Sequence, residues 1–254
     1  MPSYKKATAI IQARVGSSRL PDKIMLNILG KPVIQHVYER VKCCKTVDKI
    51  IISIPDTSEN NVIEDFFAEL NIPVFRGNEN DPLKRYYDTA NHFKVKDIIR
   101  VMSDCPLLDP DIIDEVVKKY FNDHLDVCHL SGDFPTGLDT TIFSFNVLEQ
   151  THKKTTLYSD RQHITPYMTK NKDFKVGNIF MYNEFGGYRF VMDRHEDFEL
   201  IKIIYDRLYA KNHIFKTKAI LELMGAEKDL RKINSHLPRD EDYNKSRLEE
   251  KTQD

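Results

Sequence analysis

The sequence predicts an α/β fold, a parallel sheet covered by helices on both faces with a smaller lobe appended. Two observations predict it. Apolar runs of strand length alternate with helical periodicities from residue 7 to about residue 121, and such βαβα alternation implies parallel pairing. The first run also stops in a loop rich in Arg, Ser and Lys, at the carboxyl end of a strand, where sheets of this kind hold their ligands.

The elements follow in order. Thr8–Gln12 is the first strand, and Pro32–Lys45 is an amphipathic helix with Val33, Val37 and Val41 on one face. Lys49–Ile54 is the second strand, Ser58–Leu70 the second helix and Pro73–Phe75 a short third strand. Asp81-Pro82 reads as an N-cap followed by proline at the first helical position, opening a helix to about Phe93. Asp97–Met102 is a strongly apolar strand, and Asp109-Pro110 repeats the cap-plus-proline signal for a helix ending near Phe121. The second half is less regular. Thr140–Phe145, Val176–Phe180 and Arg189–Met192 read as strands, His195 to about Tyr209 as a helix, and Ala219–Met224 as a short one. From Arg239 the chain is charged and nearly free of aliphatics, so residues 239–254 are expected to be a frayed, disordered tail after a single domain over 1–238.

Composition narrows the function. The 254 residues are 41% apolar and 30% charged, with a net charge of −1, which argues against a nucleic-acid binder held by bulk electrostatics. Any anion site is therefore local. No apolar run is long enough to span a bilayer and the N-terminus lacks an h-region, so the expectation is a cytoplasmic protein with no membrane partner. Cys43, Cys44, Cys105 and Cys128 form no Cys-x-x-Cys pair and read as structural or incidental thiols of a reducing compartment.

Chemistry concentrates in Ile10-Ile11-Gln12-Ala13-Arg14-Val15-Gly16-Ser17-Ser18-Arg19-Leu20-Pro21-Asp22-Lys23. The loop offers backbone N–H groups, hydroxyls and three fixed positive charges, a set suited to a polyphosphate. Arginine forks onto two phosphate oxygens, and lysine supplies a compact point charge. It is neither a Walker A loop, since no Gly precedes Lys23 and no Ser or Thr follows, nor a Gly-x-Gly-x-x-Gly turn, since Gly16 stands alone. A basic surface loop after an edge strand would use the same residues. Asp104 and Asp193 each follow a predicted strand. Two carboxylates beside substrate phosphates suit Mg²⁺, while Asp193 alone would also serve to cap the helix beginning near His195.

The loop, followed by Gly30-Lys31-Pro32 opening a helix, resembles the signature of the cytidylyltransferases that activate acidic sugars, the CMP-KDO and acylneuraminate type, and within them the spore-coat polysaccharide biosynthesis protein F type. The likeness continues in order through the segments 75–87, 103–110, 134–139, 161–167 and 193–199. It implies a three-layer α/β/α, Rossmann-like nucleotide-diphospho-sugar transferase fold with a mixed, mainly parallel sheet and an acceptor or dimer lobe at about 125–190. It implies CTP as co-substrate, Mg²⁺, a small-molecule acceptor and a homodimer. Position by position, Arg14, Gly16, Ser17, Arg19 and Lys23 would hold the triphosphate of CTP and Ala13 and Ser103 would also contact the nucleotide, with Arg14, Lys23 and Asp104 catalytic. Asp104 and Asp193 would hold the metal, and Gly77 and Arg85 would line the nucleobase side. Gly137, Asp139, Arg161 and His163 would face the acceptor.

Three departures separate the sequence from the pattern of similar enzymes. Asp22 and Ser103 stand where glycine is usual, and Arg194-His195 replaces an acidic-Pro or Thr-Pro step. None removes a charge the chemistry needs. For His163, carboxylate binding, proton relay and a helix start all remain open, and the aromatic run Phe180–Phe190 reads as core or dimer surface. The implied reaction is transfer of CMP from CTP to an acidic sugar or related hydroxy acceptor, with release of pyrophosphate. The alternatives are a sugar phosphate or small phosphorylated hydroxy acid as acceptor, or a non-catalytic nucleotide-binding subunit.

Overall fold

In the computed structural model, which describes residues 4–251, β1 (Ala7–Gln12) lies in the middle of a seven-stranded sheet. Its two isoleucines have no solvent-facing side. Ile11 packs on one face with Ile52, Ile99 and Val101, and Ile10 on the other with Ile51, Ile98 and Phe143. Each fully buried aliphatic side chain contributes roughly 1.5–3 kcal/mol, and a two-sided strand collects that on both faces.

The remaining strands are β2 (Val47–Pro55), β3 (Val74–Gly77), β4 (Asp97–Met102), β5 (Val127–Ser131), β6 (Thr141–Ser144) and β7 (Val176–Phe180). The order across the sheet is β3-β2-β1-β4-β6-β5-β7. β6 runs antiparallel to β4 and β5, and the other pairs are parallel. This is the mixed, mainly parallel sheet that the sequence implied.

Helices cover both faces. On the Ile11 side pack α1 (Val33–Lys42), α2 (Asn61–Glu69), α4 (Pro110–Asn122), α8 (His195–Leu208) and α9 (Thr217–Ala226). On the Ile10 side pack α3 (Pro82–His92), α5 (Phe145–Lys154) and α7 (Thr165–Lys170). The expected caps are present: Asp81 accepts from Lys84 N–H at 3.0 Å, and Asp109 from Asp111 N–H at 3.0 Å. α1 stops earlier than its periodicity suggested, because Asp114 takes the N–H groups of Lys45 and Thr46 at 3.1 and 2.9 Å.

The second half holds the differences. β5 and α5 were not anticipated; α5 begins at Phe145, where the predicted strand was to end, and Ser144 caps it by accepting from Val147 N–H at 3.2 Å. Residues 189–192 make a single bridge, Arg189 to Thr136, rather than a strand. Their backbone instead bonds to loop ends, Phe190 N–H to Thr136 O at 2.8 Å and Met192 N–H to Asp104 O at 2.8 Å. The expected frayed tail differs most. Glu241–Lys251 forms a helix, α10, docked on α6 (Tyr158–His163). Ion pairs rather than an apolar face hold it: Glu241 to Arg194 at 2.7 Å, and Asp242 to Arg19. Among the described residues no helix is long and apolar enough to cross a membrane.

Candidate active site

The loop after β1 is pinned from the β2 side. Ala13 N–H continues the sheet to Ser53 O at 3.0 Å, and Val15 N–H donates to Asn60 Oδ1 at 3.1 Å. A Cβ at Gly16 would lie 3.0 Å from Glu59 Oε1, the end of an exposed side chain on the β2 side of the loop. Ser17 Oγ accepts from Leu20 N–H at 3.3 Å, and Arg14 is exposed. Asp22 has φ of 53°, in the left-handed region that glycine favours and aspartate tolerates. The residue therefore meets a backbone requirement, and it is exposed.

Lys23 is the centre of the site. Its Nζ lies 2.5 Å from Asp104 Oδ2 and 2.6 Å from Asp193 Oδ1, with only 12% of its side chain exposed. Burial opposes the ammonium charge, yet the two carboxylates raise its pKa above the usual lysine range. Burial likewise opposes the Asp193 carboxylate, and Lys23, Arg19 and Arg189 outweigh it and lower its pKa. Asp104 leaves the end of β4 and Asp193 precedes α8, and the Met192 N–H to Asp104 O bond ties the two segments together.

Asp193 does not cap α8. Asp197 does, accepting from the N–H groups of Asp193 and Arg194 at 3.0 and 3.1 Å while gripping Arg189 Nε at 2.9 Å. That arrangement leaves Asp193 facing Lys23. Two carboxylate oxygens thus converge on one cation, here an ammonium group. Mg²⁺ asks for one or two carboxylates plus phosphate and water, so the donor set fits the ion the resemblance implied. Among the described residues no group of three His, Cys, Asp or Glu side chains could hold a metal, and the phosphates would supply the rest of the shell.

Arg14, Gly16, Arg19, Lys23, Ser103 and Asp104 line one cavity of about 390 Å³. α10 forms part of its wall through Asp242, Lys245, Ser246 and Glu249. Arg19 donates to both oxygens of Asp242, one at 2.7 Å, and that pairing raises its pKa against the cost of burial.

The acceptor-side residues divide. His163 lines the cavity, its Nε2 3.1 Å from Ser246 Oγ and its ring edge-on to Tyr243. Burial first, then the nearby Arg100 charge, lowers its pKa. Arg161 is instead turned to Asp81 at 2.5 Å and Thr155 O at 2.9 Å, fixing α6 to the start of α3. Gly137, at φ +91°, passes so close to residues 190–191 that a Cβ would lie 2.5 Å from Val191 N. Its N–H donates to Asp139 Oδ2 at 3.0 Å. Of the two residues expected on the nucleobase side, Arg85 is buried, which lowers its pKa to about 10, and it donates to Asn78 O at 2.5 Å. Gly77 leaves room for it, since a Cβ there would lie 3.0 Å from Arg85 Cγ. Arg85 and Gly77 therefore shape the 78–81 loop.

Sequence reasoning missed Arg100, Arg189, Asp197 and the α10 residues. Arg100 did carry a signal, as a charge set among the apolar residues of a strand. Asp242 carried none, lying in a run of mixed charge.

With this geometry in hand, known proteins give a clear comparison. The cytidylyltransferase family profile matches residues 8–224. The chain belongs to the cytidylyltransferase family. This cytidylyltransferase is 27% identical to the spore coat polysaccharide biosynthesis protein SpsF of Bacillus subtilis over 206 residues, 78% of this chain and 85% of that protein. It is 33% identical to the 3-deoxy-manno-octulosonate cytidylyltransferase of Geobacter sulfurreducens over 110 residues, 43% of each chain. Its fold matches a solved cytidylyltransferase from Leptospira borgpetersenii serovar Hardjo-bovis with a TM-score of 0.83 at 27% identity, covering 89% of this chain and 97% of that one. α10 lies beyond the end of the family match.

Proposed function

We propose that this cytidylyltransferase moves CMP from CTP to an acidic sugar or a closely related hydroxy acid, with Mg²⁺, and releases pyrophosphate. The observation that carries the reading is Lys23 between Asp104 and Asp193 at the mouth of the Arg14–Arg19 loop. The acceptor hydroxyl oxygen forms a bond to the α-phosphorus and gives up its proton to solvent, while the bond from that phosphorus to the bridging oxygen of pyrophosphate breaks. The protein does little covalent work in such a transfer, so positioning and charge neutralisation dominate. Arg14 and Lys23 offset the charge gathering on pyrophosphate, and Arg19 joins them on leaving Asp242. Asp104 and Asp193 would hold the magnesium ion, which when bound supplies Lewis-acid charge to the phosphate oxygens.

The acidic acceptor is supported by what the relatives are named for, polysaccharide biosynthesis in one and 3-deoxy-manno-octulosonate in the other. A homodimer that completes the acceptor pocket belongs to the same reading. Pyrophosphate release is to be measured with CTP, Mg²⁺ and a panel of 3-deoxy-manno-octulosonate, nonulosonates, sugar phosphates and phosphoglycerate. A CTP-specific signal with a sugar acid is expected. Silence across the panel while CTP still binds would refute the reading.

A further inference from the structure

β4 places a charge where a sheet of this kind normally holds aliphatics. Ile98, Ile99 and Val101 are buried, and between them Arg100 pairs with Ile10 of β1 and Thr141 of β6. By the alternation of the strand its side chain lies on the face of Ile98 and Met102, and it lines the cavity beside His163. Burying a guanidinium without partners is costly, and the other buried or half-buried arginines of this region avoid that cost. Arg19 has Asp242, Arg85 has the Asn78 carbonyl, Arg161 has Asp81 and Arg189 has Asp197.

Arg100 is different. Its Nε is buried and unpartnered, as are those of Arg19 and Arg85, but unlike theirs none of its other nitrogens makes a hydrogen bond or ion pair among the described residues. The nearby Asp139 carboxylate is already engaged by the Gly137 N–H at 3.0 Å. A second orphan faces the same cavity from the neighbouring strand: the side-chain oxygen of Gln12 is buried and without a partner. An unfilled donor and an unfilled acceptor on adjacent strands are a demand for a ligand that brings both kinds of group.

Their place in the sheet says which ligand. The phosphate loop leans to the β2 side through Asn60 and Glu59, whereas Arg100 lies on β4, next to β6. The two ends of the cavity therefore address different molecules. We propose that Arg100, with Gln12 beside it, binds an anionic group of the acceptor and so selects acceptors that carry a carboxylate or phosphate near the reacting hydroxyl. The planar guanidinium forks onto two oxygens of either anion, and the Gln12 oxygen takes an acceptor hydroxyl. The proposal rests on the cytidylyl-transfer reading above and adds the group that reads the acceptor.

The test separates the two. Full-length protein is loaded with Mg²⁺ and a CTP analogue whose α–β bridge is a methylene group, which cannot be cleaved. It is then titrated calorimetrically with 3-deoxy-manno-octulosonate, inorganic phosphate and, as a neutral control, mannose. Wild type is expected to bind one anionic probe and not mannose, and the probe that binds tells carboxylate from phosphate. Arg100→Gln should weaken that probe at least about tenfold while keeping the affinity for the CTP analogue within about twofold. Arg100→Lys should recover part of the loss, and it carries the test if the glutamine variant does not fold. The proposal is overturned if Arg100→Gln binds the probe as wild type does, if wild type binds neither anion, or if the affinity for the analogue falls instead. A wild type that fails to bind the CTP analogue overturns the cytidylyl-transfer reading itself, which is a distinct result.

Discussion

Replacing Lys23 by methionine keeps the length of the side chain and removes the only charge shared by Asp104 and Asp193. In wild type the ammonium lies 2.5 and 2.6 Å from them, and the carboxylates are 22% and 17% exposed. Removing one partner of a buried ion pair costs roughly 3–5 kcal/mol. The partial exposure, and Arg19 and Arg189 beside Asp193, put this site at about 3 kcal/mol, a fall of about 6–12 °C in Tm.

The pH dependence has a definite sign. The folded-state pKa of Asp193 is lowered, so its stabilising contribution is present above the usual carboxyl pKa of 3.8 and is lost as pH falls through the lowered value. The raised pKa of Lys23 keeps its contribution complete below 10.5. In Lys23→Met the Asp193 carboxyl loses the largest of the charges that oppose its burial, so it takes up a proton more readily than in wild type. The gap in Tm between the two proteins is therefore widest near pH 7 and narrows towards about pH 4. Mg²⁺ should raise the Tm of the variant more than that of wild type, since both carboxylates are released to it. Thermal unfolding followed by circular dichroism over that pH range, with and without Mg²⁺, checks both statements. A gap that stays constant with pH refutes the ion-pair argument; an intact pH trend with no effect of Mg²⁺ refutes the metal assignment alone.

Asp242→Asn releases Arg19 for phosphate; the half-exposed pair contributes at most about 1 kcal/mol, so CTP binding measured by calorimetry should tighten by up to about fivefold. Unchanged or weaker binding would mean that Asp242 does not compete with the nucleotide. Asp197→Ala leaves the Arg189 guanidinium and the Asn234 amide without their shared carboxylate and should cost roughly 3–5 kcal/mol in denaturant unfolding; a loss below about 1 kcal/mol contradicts its structural role. Gly137→Ala places a Cβ 2.5 Å from Val191 N at a φ of +91° and should destabilise by roughly 1–3 kcal/mol, with reduced pyrophosphate release because the segment carrying Asp193 shifts. Wild-type stability and turnover would refute the close-approach argument.

The βαβα half of the chain was legible because each element there has a local cause: β-branched runs in β1 and β2, and the Asp-Pro openings of α3 and α4. β5 was hidden by its composition, Val-Cys-His-Leu-Ser, and exists through its pairing with β6 and β7. Residues 189–192 form a short, mostly apolar run of strand length but lie beside loops, so the run found no ladder to join. α10 has no apolar face to read, since its docking depends on Arg19 and Arg194, 223 and 47 residues away in sequence from the carboxylates they pair with. At the site, the charges of residues 13–23 were visible and their pairings were not. Nothing local says that Arg161 turns to Asp81, or that Asp197 relieves Asp193 of capping α8.

The single backbone bond from Met192 N–H to Asp104 O, together with the glycine contact at 137, has an architectural consequence. Asp104 and Asp193 are far apart in the chain, yet their spacing is set by a stitch one residue before the second of them and at the first. Much of the chain between them, including β5, β7 and α5 to α7, plays no part in that stitch. The register of the two carboxylates therefore rests on one peptide bond's hydrogen bond and on a glycine seated against residues 190–191, not on any contact local to either aspartate in sequence.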